Sequence, residues 1–146
     1  MIRQFLLSVV FFSFCCTGLR AQKSAFYTDP DQLYRQGLEL YDKKQYASAQ
    51  KVFLEYYQKS NTTLLKSDAY FYAAACGIEL VNRDSEWMMK RFVALYPAST
   101  KINLAWFFLA KSNYRKKKYP ETVEYFDKVD TYGLDKEQLQ ELRFKR

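Results

Sequence analysis

Histidine is absent from all 146 residues. Without an imidazole, Ser–His and Cys–His nucleophile pairs and His-ligated metal sites are excluded, and so is the side chain that most often moves protons near neutral pH. Glycine is scarce. Gly18, Gly37, Gly77 and Gly133 are the only four, and their spacing makes neither a phosphate-cradling loop nor a dinucleotide fingerprint. Of three cysteines, Cys15 and Cys16 lie in an apolar N-terminal run, which leaves Cys76 alone in Ala73-Ala74-Ala75-Cys76. It reads as a small buried thiol, and no disulfide framework follows. Asp42, Asp68, Asp84, Glu86 and Asp127 fall at expected helix ends or exposed faces without calcium-loop spacing. The expectation is a chain with no catalytic residue, no metal and no cofactor, and therefore not an enzyme.

What is present is aromatic. Hydrophobic residues make up 49% and aromatics 18%, with 13 Tyr and 12 Phe against 3 Pro, a composition suited to helices packed by rings rather than to disorder. The formal charge is +7, or +5 if a segment carrying Arg3 and Arg20 is removed. Lys and Arg alternate with Asp and Glu along most expected helices, so a mixed solvated surface is expected and nucleic acid is not a partner. Arg115-Lys116-Lys117-Lys118 is the exception. It is read as dipole compensation at a wet turn, with anionic headgroups the alternative partner.

Residues 1–21 combine Arg3, an apolar run from Phe5 to Cys16, and Leu19-Arg20-Ala21. That order matches a secretory signal peptide, with cleavage after Ala21 leaving Gln22 first. The competing reading makes Cys15 or Cys16 a lipid-modified residue, and only then would the membrane be contacted. Either way the chain is expected to be exported, to a periplasm or the outer-membrane periphery. Residues 22–29 form a polar lead-in, and Asp29-Pro30 reads as cap and first helical position.

Helices are then expected from Pro30 to about Lys44, from Tyr46 to about Lys59, from about Leu64 to Val81, and from Ser85 to Tyr96, where Pro97 stops the run. A third pair, capped by Ser99 or Thr100, turns at residues 115–118 and ends near Asp130; a seventh helix runs from Asp135 to Arg146. Asn61-Thr62-Thr63 is a connector that also has the form of a glycosylation triplet. Within the third pair, Trp106, Leu109 and Ala110 share one helical face, and the small Ala110 admits a partner helix offering Thr122 and Phe126. Stepping back 37 residues gives Ala73, with Ser85 and Met89 on the return helix; a further 36 gives Gly37, with Ala49 and Phe53. One helical hairpin is used three times, over about 30–61, 64–97 and 99–132, with a partial fourth from 135.

This period, with a helix pair per unit and a small residue at the pairing position, resembles the tetratricopeptide repeat, whose period is about 34. Trp106, Leu109, Ala110, Tyr119 and Phe126 carry the resemblance most fully; Leu33, Gly37, Tyr46, Ala49 and Phe53 repeat it, and the second copy supplies Pro97. A second small residue of the family's pattern is replaced by Tyr56, Phe92 and Val129, which should widen the repeat spacing. The resemblance implies an all-α fold of antiparallel hairpins stacked as a right-handed solenoid, and a scaffold role: binding an unidentified protein or peptide in a concave groove of the cell envelope. The alternatives are a lipid-tethered outer-membrane assembly component and the N-terminal repeat module of a larger enzyme or regulator. In relatives that clamp charged tails, set places on the first helices hold Lys and Asn; here they hold Tyr34, Leu38, Phe71, Leu104 and Phe108, which disfavours that mode.

The groove is expected to expose an aromatic strip of Tyr34, Tyr70 and Phe107, each three residues before the small position, continued by Leu38, Tyr41, Lys111 and Tyr114. The other reading of these rings is that they pack between hairpins. The fourth unit stops before its small residue, so the array is expected to continue beyond residue 146, with Leu139 and Leu142 facing water and self-association through that open end.

Overall fold

The computed structural model describes residues 30–61 and 63–146, and among them the chain is all-helical. The signal-peptide, lipid-modification and Asp29-cap expectations lie outside the described residues. The described residues form seven α-helices, in order α1 Pro30–Asp42, α2 Tyr46–Lys59, α3 Thr63–Glu79, α4 Ser85–Leu95, α5 Ile102–Arg115, α6 Tyr119–Asp127 and α7 Lys136–Lys145, with a 3-10 turn at Thr131–Gly133. No helix among the described residues is long and apolar enough to cross a membrane.

Each helix from α1 to α6 packs on its neighbour in sequence, and α3 also touches α1 and α5. Helix α3 explains this arrangement. It is apolar nearly all round, as a helix covered on several sides must be. Ala69, Ala73 and Cys76 face a first cluster with Tyr34, Ala49, Phe53 and Tyr56, while Tyr70, Phe71, Ala74, Ala75 and Ile78 face a second that runs through Phe92, Phe107 and Leu109 to Leu142. The pairing residues Gly37, Ala49, Phe53, Ala73, Ser85, Met89, Leu109, Ala110, Thr122 and Phe126 are all buried. Trp106 is half-buried, stacked 5.8 Å from the Tyr125 ring.

The first helix of every pair ends in the same way. Lys44, Val81 and Lys117 have φ of 56°, 59° and 58°. In each case the N–H of that residue donates three residues back, to Tyr41, Ile78 or Tyr114, and the next N–H donates five back, to Leu40, Gly77 or Asn113. This is a left-handed helix cap, usually built with glycine. It stops the helices two residues before the bounds expected at Lys44 and Val81. The caps expected at Ser99 or Thr100 differ as well. Helix α5 begins after Lys101, and Ser99 Oγ accepts the Lys101 N–H outside the helix. Helix α7 has a reciprocal cap, Asp135 with Gln138, which fixes its start.

The seventh helix corrects one expectation. Leu142 does not face water; it is 4% exposed, packed into the second cluster, and Leu139 is half-buried. A turn of chain through Thr131–Gly133 lays α7 back on the third hairpin, tied by paired hydrogen bonds between Asn103 and the Asp130 backbone.

Candidate functional site

The residues expected to form an aromatic strip separate in the structure. Tyr34, Tyr70 and Phe107 are core rings, exposed by only 9%, 6% and 1%. Tyr34 lies 5.9 Å from the Phe53 ring and 5.5 Å from Tyr56, Tyr70 lies 4.8 Å from Tyr57, and Phe107 lies 6.0 Å from Phe126. The physical reason is bulk. A small residue at the pairing position brings the helices close, and a ring one turn earlier is then covered by a return helix, that of the same pair for Tyr34 and Phe107 and that of the preceding pair for Tyr70. Leu38 packs against the first cluster, and Tyr114 sits edge-on to Tyr119 with the Lys145 ammonium 5.2 Å from its ring. An open aromatic strip is therefore not what these seven residues make.

Three of them, Tyr41, Phe107 and Lys111, instead meet in a concavity of about 370 Å³. It lies between the α1–α2 turn, the end of α3, the middle of α5 and the start of α7. Tyr41, Tyr46, Phe107 and Phe108 contribute to its lining, the two tyrosines being the more exposed, and Asp42, Glu79, Asp135, Glu137 and Glu141 bring carboxylates to it, against Lys44 and Lys111. The site is thus acidic within a basic chain. A second, shallower concavity of about 670 Å³ lies at the C-terminal end, lined by Tyr132, Leu139 and Arg143 among others.

Charges in the first concavity are organised around Lys111. Its Nζ lies 2.7 Å from Glu79 Oε1 and 3.3 Å from Glu141 Oε2, joining α3 to α7 through α5. Arg115 also reaches Glu79 and donates to the Ile78 carbonyl, so it caps the C-terminal end of α3. Here the sequence reading is refined: Arg115 compensates the neighbouring helix, and Lys116 pairs with Glu86 at the start of α4. Burial raises the Glu141 carboxyl, but the hydrogen bond from Lys145 and the charge of Lys111 hold it below the ordinary range. Burial and the nearby Glu79 carboxylate, with other neighbours, push the Tyr41 and Tyr46 hydroxyls up.

Asp42 stands 37 residues before Glu79, at the same C-terminal position of α1. Residues 37 before Lys111 and Arg115 are Ala74 and Ile78, which are apolar and buried. So the cations that neutralise Glu79 have no counterparts for Asp42, which among the described residues has no ion-pair partner. Lys44 Nζ, on the same turn, lies 3.9 Å from Glu137 instead. The lining contributed by α7 escaped sequence reasoning because it comes from a distant element. The acidic residues at two helix C-termini, where the dipole favours cations, were a readable signal.

Among the described residues no cluster of His, Cys, Asp and Glu could hold a metal ion. Compared with protein-family models, with curated proteins and with solved structures, the chain matches none.

Proposed function

We propose that this chain is an exported, tetratricopeptide-like scaffold that binds a polypeptide segment in the concavity between α1, α3, α5 and α7. The observation that carries this reading is the lining itself, Tyr41 and Tyr46 beside Asp42, a carboxylate at a helix C-terminus with no ion-pair partner among the described residues. Such a site favours a segment that presents a Lys or Arg side chain, its stem along Tyr46 and Tyr41 and its charge toward Asp42 and Glu137. The recurrence of hairpins with one turn geometry supports a stacked, solenoid arrangement, in which the first helices of each pair share a face.

The full chain is titrated with fluorescent extended peptides that carry Lys and Arg, and with the same peptides carrying Glu. Basic peptides should bind with an affinity that falls as salt rises, and Asp42→Lys should weaken them at least about tenfold, since an attractive charge contact is replaced by repulsion. Equal capture by the wild type and Asp42→Lys would overturn the reading.

A further inference from the structure

A second surface adjoins the concavity at the first turn and runs along the edge where the three helix-to-helix turns come together. The turns are residues 42–45, 80–84 and 116–118. Gln50, at the start of α2, bonds both the Ala73 carbonyl and Asn82, while Arg115 and Lys116 reach Glu79 and Glu86 on either side of the middle turn. These contacts bring the first and third turns beside the second.

Each turn holds one residue in the left-handed conformation, and none of the three is glycine. A glycine would adopt it freely, so Lys44, Val81 and Lys117 are retained at a cost in backbone strain, greatest for the β-branched Val81. Strain of this kind points to a role for the side chain. The turns carry Lys43, Lys44, Arg83, Lys116, Lys117 and Lys118 against Asp42 and Asp84. Lys44 and Lys116 face Glu137 and Glu86, which leaves Lys43, Arg83, Lys117 and Lys118 exposed and, among the described residues, without an ion pair. In the middle turn Val81 is 68% exposed beside Leu80, and Trp87, just inside α4, is 59% exposed.

We propose that this edge docks on an anionic lipid bilayer. The unpaired cations meet headgroup phosphates, and Leu80, Val81 and Trp87 enter the interfacial layer, where aliphatic and indole groups leave water while the backbone stays outside. A phosphate polymer would satisfy the cations but would give an aliphatic tip nothing to leave water for. Contact of this kind is peripheral and needs no spanning helix.

The test uses the full chain carrying Trp106→Phe, so that Trp87 alone reports. Vesicles of phosphatidylcholine, with or without phosphatidylglycerol, carry brominated acyl chains as quenchers. Trp87 emission should be quenched on anionic vesicles and recover at high salt. Lys117→Glu with Lys118→Glu should raise the lipid concentration needed at least about tenfold, because each basic residue near such a surface contributes roughly a fivefold factor. Val81→Gly relaxes the turn, so it should fold at least as well and yet show weaker quenching. The same charge change elsewhere, Lys59→Glu at the far end of α2 with Arg143→Glu on α7, should leave the quenching within about twofold of the parent, as charges beyond a Debye length are screened. Four outcomes overturn the proposal: sedimentation with vesicles without Trp87 quenching, equal quenching on zwitterionic vesicles, an unchanged response in the Lys117 and Lys118 variant, or complete displacement by inorganic polyphosphate at equal charge.

Discussion

The Phe53 ring lies so close to the backbone of Gly37 that a β-carbon there would stand 2.6 Å from Cε1. Gly37 is therefore the contact that lets α1 meet α2. Two effects oppose each other when alanine replaces it. Helix propensity gains about 1 kcal/mol, whereas overpacking against a fully buried ring costs about 1–3 kcal/mol. Gly37→Ala should lower stability by about 1 kcal/mol, and adding Phe53→Leu should return part of that loss, because the two changes share one contact. Urea denaturation of the two single variants and the double variant measures the coupling. A Gly37→Ala protein more stable than its parent, with Phe53 intact, would rule out this packing.

At the turns the sign reverses. Val81 holds φ near 59° with its side chain in solvent, so little packing is lost on truncation. Val81→Gly should raise stability by about 1 kcal/mol, the left-handed penalty less the added freedom of the unfolded chain. Lys44→Gly and Lys117→Gly should gain less, since neither is β-branched. Thermal melts of the three variants establish the order. A lower melting temperature for Val81→Gly than for the parent would contradict the turn geometry.

How far the sequence carries this structure differs from one part to another. Pro97 and the spacing of Gly37, Ala73 and Ala110 place helices and turns to within a few residues, because both act locally on the backbone. The left-handed caps are hidden, since the glycine that normally marks them is replaced by Lys44, Val81 and Lys117. Ring burial is hidden for another reason. Tyr34, Tyr70 and Phe107 sit at the border of the pairing face, and periodicity alone leaves open which flank the next helix covers. The concavity draws on α1, α3, α5 and α7, whose approach depends on how hairpins stack. Even so, Asp42 and Glu79 at helix C-termini, and the apolar Ala74 and Ile78 in the register of Lys111 and Arg115, are legible without coordinates.

Core rings and surface rings separate in a stability test. Tyr70→Ala and Phe107→Ala each remove a side chain from the second cluster and should cost about 3–5 kcal/mol. Tyr114 is half-buried at the edge of α5 and touches Tyr119 and Lys145. Its truncation should cost about 1 kcal/mol, the scale of a surface aromatic pair and a cation over a ring. Comparable losses for Tyr70→Ala and Tyr114→Ala would show that the core boundary is misplaced.

Helix α7 is held by two kinds of contact, the buried Leu142 and the carboxylate of Glu141 between Lys111 and Lys145. Lys111→Met keeps the aliphatic stem but removes the charge shared by Glu79 and Glu141. Each carboxylate retains one cation, Arg115 or Lys145, so the cost should be about 1–2 kcal/mol rather than that of a stranded buried charge. The loss should be local, seen as faster hydrogen exchange at 136–145 while α3 and α4 are unchanged. Acid acts on the same contact. The Glu141 carboxyl is held below its ordinary value in the folded chain, so its contribution is present above the unfolded pKa, about 4.3, and disappears as pH falls through the lower folded value. Protection of α7 in the parent should therefore decline more steeply below about pH 4.3 than in Glu141→Gln, which has no carboxylate to titrate. Equal protection of residues 136–145 in the parent and Lys111→Met at neutral pH would mean that Leu142 alone holds the helix.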